Sequence, residues 1–211
     1  MVDFLHTKRY GLILLIMDTR MRILERVYED MRVKGFQGLR ADVVMKSMDV
    51  TKGALYYHFK NKTVLGYAIL EEVIQPEYLK PYLPLLEYEG NPVSFLQSIL
   101  SGIKLTTEAK DLMIGDPVHN LALEMSPLDE GFRKRLEIMQ DSVKDIISDA
   151  LYRGQVRGFV VERAKPVQIA SFFQAMLAGN YGMAKAHLNK RVFDSNLDML
   201  AEYLDEFRVG V

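Results

Sequence analysis

Residues 39–62 read LRADVVMKSMDVTKGALYYHFKNK, and this stretch holds two short helical patterns separated by a tight break. The first pattern covers residues 41–48, where apolar side chains recur at helical spacing on one side. Asp49 tolerates the left-handed turn conformation that would break this helix. Thr51 can then cap a second helix, residues 52–59, through its hydroxyl. Two helices joined by so short a turn predict a helix-turn-helix, whose second helix can enter the major groove of DNA.

The second helix carries side chains suited to DNA on its exposed part. Thr51 and Lys52 stand at its N-terminus, where free N–H groups and the helix dipole favour a phosphate. Gly53 adds no side chain, so DNA can approach the backbone there, and the ring of Tyr56 can lie against a thymine methyl. Flanking side chains are expected to hold the DNA backbone: Arg40, Tyr57, His58 and Lys62. His58 fits a structural hydrogen-bonding role equally well, and for an isolated basic, aromatic helix the alternative is a solvated face.

The same residues carry a resemblance to a known family. The run VTKGALYYHF at residues 50–59, followed by KNK and Leu65, resembles the signature of TetR-family transcriptional regulators. The resemblance covers residues 18–70 and departs from the family pattern at three places: Leu39-Arg40 replaces a Thr or Ser cap, Met45 replaces Ala, and Asp49 replaces Gly. It implies an all-α fold, with an N-terminal three-helix helix-turn-helix domain for DNA and a larger helical domain for ligand binding and dimerisation.

Composition and charge agree with a protein that meets DNA at one end. The chain has 211 residues, of which 49% are hydrophobic, so a sizeable core is available. It has no Cys, which excludes disulfides, thiol catalysis and Cys-ligated zinc and fits a reducing cytoplasm. Residues 1–62 contain 12 Lys and Arg against 7 Asp and Glu, whereas the remainder contains 15 against 21. This asymmetry indicates that only the first part meets a polyanion.

The first 17 residues contain a basic pair, Lys8-Arg9, before a short apolar run at residues 12–17. A bilayer span needs about 20 apolar residues, and a signal peptide needs a longer apolar region and a small-residue cleavage site, so the run at residues 12–17 predicts neither. Three interpretations stay open for residues 1–17: an extra N-terminal helix or arm, a start codon upstream of a natural beginning at Met17, and a DNA-binding arm that uses Lys8 and Arg9.

Beyond the helix-turn-helix, the apolar spacing is helical throughout. Asp18 is expected to cap a first helix that ends at Gly35, and Asn61 to cap the helix that follows the recognition helix. Three prolines between residues 76 and 84 predict a break or an irregular helix across residues 76–91. Further helices are expected at residues 92–110, 118–125, 129–153, 167–187 and 192–207. The expected segments are an N-terminal extension (1–17), a helix-turn-helix DNA-binding domain (18–64) and a helical effector-binding and dimerisation domain (65–211).

The resemblance implies a pocket for a small effector within residues 65–211. Its expected lining residues are Met113, His119, Met125, Met139, Phe172, Phe173 and Met176. His119, in a mixed helix with Asn120 and Glu124, is the expected polar anchor. Taken singly, each of these residues is more often part of a core than a ligand contact.

The last two helices are expected to form a four-helix dimer interface, as the resemblance also implies. The helix at residues 167–187 is apolar nearly all round, so it must be covered on every side. The final helix repeats apolar residues at steps of three and four, a narrow seam suited to helix packing. The expected interface residues are Gly179, Gly182, Phe193, Leu197, Leu200, Leu204 and Phe207.

The sequence therefore predicts a repressor that binds a palindromic operator as a homodimer and is released by a small, mostly apolar effector. We expect a cytoplasmic protein with no cofactor, no metal and no membrane partner. One alternative is a ligand-independent DNA-binding protein of the same fold, with an architectural or cell-division role. A more remote alternative is a helical enzyme, but Asp116, His119 and Glu124 match no catalytic template, so no enzyme is expected.

Overall fold

The computed structural model describes residues 3–48 and 51–210, and the side chains of residues 19–48, 51 and 53–210. The chain divides into two compact units, residues 1–75 and 76–211. In the first unit the helices are α1 (Asp3–Gly38), α2 (Ala41–Ser47), α3 (Lys52–His58), α4 (Lys62–Ile69) and a π-helical turn (Leu70–Ile74). In the second unit, entered through α5 (Gln75–Leu79), they are a 3-10 turn (Leu83–Leu86), α6 (Pro92–Thr106), α7 (Ala109–Ile114), α8 (Pro117–Met125), α9 (Glu130–Val156), α10 (Pro166–His187) and α11 (Lys190–Asp205). The predicted all-α fold is confirmed.

The first unit has a core of its own. Its buried apolar side chains come from α1 to α4 and from the turn after α1: Ile23, Leu24, Val27, Met31, Phe36, Leu39, Val44, Met45, Leu55, Phe59, Leu65 and Ile69. Gly35 interrupts α1 with a φ of 75°, a conformation that glycine adopts without steric cost. The expected helix end at Gly35 is therefore confirmed. Arg40 is the N-cap residue of α2 and makes no side-chain cap hydrogen bond.

The start of α1 differs from the prediction. Residues 3–17 are helical and continuous with the rest of α1, so the predicted cap at Asp18 is wrong. Residues 12–17 contain no glycine or proline, and nothing in them stops a helix from extending through Asp18. The side chains of Lys8 and Arg9, and the predicted turn at Asp49-Val50, lie outside what the structure describes.

In the second unit α9 and α10 pack along each other, and α6 and α11 complete the bundle around them. The core side chains of α9 and α10 include Val143, Ile147, Leu151, Phe173 and Leu177. The buried Asn180 side chain donates to the carbonyl of Phe193 at 2.9 Å and accepts from Asn196 at 2.8 Å. These polar contacts fix the register of α10 against α11.

Two stretches of the second unit are segmented differently from the prediction. The expected helix at residues 92–110 is two helices, because Glu108 and Asp111 form a capping box that starts α7. The expected break or irregular helix is found, but it begins after Leu79: residues 62–79 are helical without interruption, and between residues 80 and 91 the one described helical element is the 3-10 turn (Leu83–Leu86). Val160 and Arg208 form an isolated antiparallel β-bridge.

The structural division falls after Gln75, beyond the expected domain boundary at residues 64 and 65. Leu65, Ile69 and Leu70 are buried, because α4 and the π-helical turn pack on α1. Among the described residues, no helix combines the length and the apolar character that a bilayer span needs.

Candidate functional site

One side of the helix α3 packs into the core of the first unit, and the other side is exposed. Leu55 and Phe59, four residues apart, are 6% and 2% exposed, whereas Tyr56 and Tyr57 are 60% and 75% exposed. The Thr51 hydroxyl accepts the N–H of Ala54 at 3.2 Å, which confirms the predicted cap. The buried pair thus fixes the rotation of the helix, and the two tyrosines face away from the core.

Gly53 lies on the first turn of α3, in open space. A Cβ placed on Gly53 would meet only the Thr51 hydroxyl within 4 Å, at 3.7 Å. Nothing within the described chain therefore requires glycine at this position. The side chain of Lys52, the neighbouring predicted contact, lies outside what the structure describes.

Arg40, Tyr56 and Lys62 come together around a recess of about 360 Å³ between the start of α2 and the helices α3 and α4. Arg40 is exposed, with its Nε 3.8 Å from the Asp42 carboxylate. The Lys62 ammonium donates to the carbonyl of Gln37 at 3.0 Å and lies 5.0 Å from the centre of the Phe36 ring. Lys62 therefore ties α4 to the end of α1, a structural role that the sequence did not reveal.

His58 is half-buried at the end of α3. Its ring meets that of Tyr57 edge-on at 5.1 Å. Burial lowers the pKa of His58, and the nearby Arg20 cation lowers it further. Both effects favour the neutral imidazole, which supports a structural role and does not exclude a hydrogen bond to DNA.

Arg20 and Glu72 form a contact that sequence reasoning missed. The guanidinium of Arg20, on α1, forms a two-pronged salt bridge with Glu72 on the π-helical turn, and its Nη2 lies 2.6 Å from Oε1. The same guanidinium lies 5.0 Å from the centre of the Phe59 ring. One side chain thus connects α1, the residue that follows α3, and the π-helical turn. No short sequence motif joins residues so far apart, so the pattern offered no signal.

A cavity of about 230 Å³ lies in the second unit between α5, α8, α9 and α10. Its lining residues are Tyr78, Asp116, Val118, His119, Gln140, Ser171, Gln174, Ala175 and Ala178. Most of these side chains carry a polar group. Ser171 and Ala175 also stand on the exposed side of α10.

His119 is the one predicted effector residue that lines this cavity. Three of the others are buried in cores, namely Met125, Met139 and Phe173, whereas Met113 is 61% and Phe172 41% exposed. Met176 packs partly buried against the main core. The missed residues Gln140 and Gln174 did carry a signal, because each is a polar residue beside the inward apolar stripe of its helix.

The structure places the predicted dimer residues in two groups. Phe193, Leu197, Leu200 and Leu204 are at most 3% exposed within one chain, and Phe207 packs partly buried against the same core. They cannot form the interface that was expected of them, because α6 and α10 of the same chain already cover them. The spacing shows which side of α11 is covered and does not show which chain covers it. Gly179 and Gly182 are exposed.

The outward sides of α10 and α11 form an exposed, largely apolar surface, here called the α10/α11 face. Phe172 and Tyr203 stack across the two helices with ring centres 4.7 Å apart. The residues that define this face are Phe172, Ala175, Gly179, Gly182, Met183, Val192, Met199 and Tyr203. Met183 and Met199 are 52% and 59% exposed. Among the described residues, no group of three His, Asp or Glu side chains is placed to hold a metal ion.

Comparison with known proteins agrees with this architecture. A family model described as the C-terminal domain of LmrA/YxaF-like transcriptional regulators matches residues 92–198, half of the chain. An uncharacterized HTH-type transcriptional regulator in the lacX 3′ region of Lactococcus lactis subsp. lactis is 26% identical over 183 residues, which cover 87% of this chain and 91% of that protein. The HTH-type transcriptional repressor NemR of Escherichia coli K12 is 25% identical over 171 residues, 80% of this chain and 84% of NemR.

A solved TetR-family regulator from Cytophaga hutchinsonii shares the fold. Its TM-score is 0.80 at 18% identity, and the match covers 92% of this chain and 96% of that one. The family model, the curated relatives and the fold agree with one another. The chain belongs to the TetR family of transcriptional regulators.

Proposed function

We propose that this regulator represses transcription in the cytoplasm by binding a palindromic operator as a homodimer, and that a small effector releases it. The observation that carries the proposal is the outward display of Tyr56 and Tyr57 on a helix whose other side is locked into the core. The name repressor given to NemR, 25% identical to this chain, supports the direction of the regulation.

The geometry of the first unit suits a major groove. α3 would enter the groove with Gly53 and Tyr56 toward the base edges, where a side chain can read sequence. Arg40 and Lys62 border the recess beside Tyr56, so phosphates on that side of the groove would meet two cations. Thr51, Lys52, Tyr57 and His58 would set the register around these contacts.

A second copy of the chain is the proposed cover of the α10/α11 face. Soluble proteins rarely leave a contiguous apolar surface of this kind uncovered. Two copies joined there would form a four-helix interface and present two α3 helices. A two-fold dimer with recognition helices about 34–36 Å apart reads a palindrome.

The cavity of the second unit is the proposed effector site. A recess between helices is the usual place for a small ligand in a helical protein. The ligand would release DNA only through a difference in its affinity for the two conformations of the regulator. This cavity favours a ligand-responsive regulator over a ligand-independent DNA-binding protein.

Selection of bound sequences from a random DNA pool, at a stated ionic strength, tests the proposal. We expect a palindrome to be enriched. Tyr56→Ala should relax the preference at one position of each half-site, at a cost of about 1–3 kcal/mol. Tyr152→Ala is the matched control, because Tyr152 is 61% exposed but lies on α9.

Arg40→Ala should weaken binding to all sequences alike and reduce the salt dependence by about one counterion. If no sequence is enriched, or if Tyr56→Ala behaves like Tyr152→Ala, the proposed reading of DNA by α3 is wrong.

A further inference from the structure

One carboxylate dominates the charge of the cavity in the second unit. Asp116 lines it, and among the described residues no lysine or arginine does. One oxygen of Asp116 accepts the backbone N–H of His119 at 2.6 Å, as the cap of α8. Asp116 forms no salt bridge with any described residue. Its carboxylate therefore faces the cavity without a salt-bridge partner among the described residues.

Asp116 lies in poorly solvated surroundings that disfavour its charged form, so a cation beside it would stabilise the carboxylate. Burial raises the pKa of Asp116, although the N–H of His119 opposes this rise. Burial raises the pKa of Tyr78 to about 12, and the charge of Asp116 adds to that effect. The same charge also raises the pKa values of Tyr82 and Tyr181, after burial. A charge that acts on three hydroxyl groups is one that a ligand in the cavity would also meet.

The Asp116 carboxylate is the one polar side chain of the described wall that can only accept, since those of Tyr78, His119, Gln140, Ser171 and Gln174 can each donate as well. The Gln174 amide donates to the backbone carbonyl of Gln140 at 3.0 Å and hydrogen-bonds the Tyr78 hydroxyl, so its N–H groups serve the wall itself. A ligand that supplies N–H donors would meet the carboxylate as an acceptor, whereas an anion would meet its charge.

We propose that this cavity binds a small organic cation, an amine or amidine whose N–H groups donate to the Asp116 carboxylate. The volume of about 230 Å³ corresponds to roughly eight liquid waters, so the ligand has on the order of ten non-hydrogen atoms. That this cation is the effector rests on the function proposed above. The expectation of a mostly apolar effector is thereby replaced by one of a compact, charged molecule.

Two matched series of probes test the charge preference by calorimetry on the full-length protein without DNA. One series is benzamidine, benzamide and benzoate, and the other is hexylamine, hexanamide and hexanoate. The molecules of the first series share a planar shape and the same number of non-hydrogen atoms and differ in charge, whereas those of the second share an alkyl chain and differ in the head group. We expect the cation of at least one series to bind at least tenfold more tightly than its neutral and anionic counterparts.

Asp116→Asn isolates the charge, because Asn also caps helices well and keeps an oxygen for the N–H of His119. It should lower the affinity for the preferred cation at least tenfold and change that for the matched amide less than twofold. Asp129→Asn is the control, because Asp129 caps α9 through the N–H of Phe132 and does not line the cavity. If Asp116→Asn does not fold, Gln140→Lys supplies an internal cation and should weaken cation binding in the same way.

The proposal is overturned if neither cation is preferred, or if Asp116→Asn binds the preferred cation as tightly as Asp129→Asn does. Operator binding measured on the same preparations separates the two proposals. Cation binding without any DNA binding would refute the regulatory function and leave the ligand class standing. DNA binding without a cation preference would refute the proposed ligand class and leave the regulatory function standing.

Discussion

Phe172 and Phe173 are neighbours on α10 whose side chains lie on different sides of the helix. Replacing Phe172 by alanine tests the free energy of dimer formation, and replacing Phe173 tests the free energy of unfolding. Phe172 is 41% exposed on the α10/α11 face, and Phe173 is fully buried. Full burial of a phenylalanine side chain contributes about 1.5–3 kcal/mol, so covering the exposed 41% in two symmetric copies contributes about 1.2–2.5 kcal/mol. Phe172→Ala should therefore raise the dissociation constant of the homodimer about 8- to 60-fold.

Sedimentation equilibrium over a range of protein concentrations measures this constant, and urea unfolding measures the fold. Phe172→Ala should cost about 0.9–1.8 kcal/mol of unfolding free energy, because Phe172 is 41% exposed and the rest of it is covered within its own chain. Phe173→Ala should cost about 3–5 kcal/mol of unfolding free energy, since it opens a cavity in the core. The reasoning fails if the wild-type chain sediments as a monomer at micromolar concentration, or if Phe172→Ala leaves a wild-type dimer as tight as before.

Three further outcomes follow from contacts within one chain. Arg20→Met removes the salt bridge to the π-helical turn. It should lower the free energy of unfolding in urea by about 0.5–1.5 kcal/mol, a small value because both side chains are partly exposed to solvent. It should also weaken DNA binding, because the guanidinium packs on Phe59 at the end of α3. Gly154→Ala should cost about 1–3 kcal/mol, because its Cβ would lie 2.6 Å from Pro92; Gly102→Ala, with open space around it, should be neutral or stabilising. Because the pKa of His58 is lowered in the folded protein, the imidazole binds a proton more readily in the unfolded chain. The stability of the first unit should therefore fall as the pH drops below about 6.5. His58→Gln should remove this fall from the pH profile of urea unfolding.

The beginnings of helices could be predicted from sequence where the chemistry is local. Thr51, Asn61, Asn91 and Asp116 each accept a backbone N–H from the first turn of the helix that follows. A cap needs only a short side chain two or three residues before its donor, so the sequence alone contains both partners. Asp18 does not begin a helix, because the residues before it are also helical. The side chain of Asp18 and its near neighbours in sequence do not reveal this.

The placement of helices against one another could not be predicted in the same way. The spacing on α11 identified Phe193, Leu197, Leu200 and Leu204 as covered residues, but a covered residue can contact its own chain or another. The effector residues show the same limit. Large apolar side chains such as those of Met125, Met139 and Phe173 fill the core, whereas most of the side chains that line the cavity carry a polar group.

Ser171 and Ala175 line the cavity and also stand on the outward side of α10. In the proposed homodimer the rim of the cavity would therefore lie beside the other chain. A molecule already inside could leave only past that seam or by an edge that stays open. Its residence time would lengthen as rising protein concentration favours the assembled form, so release kinetics would report on self-association even where equilibrium affinity does not.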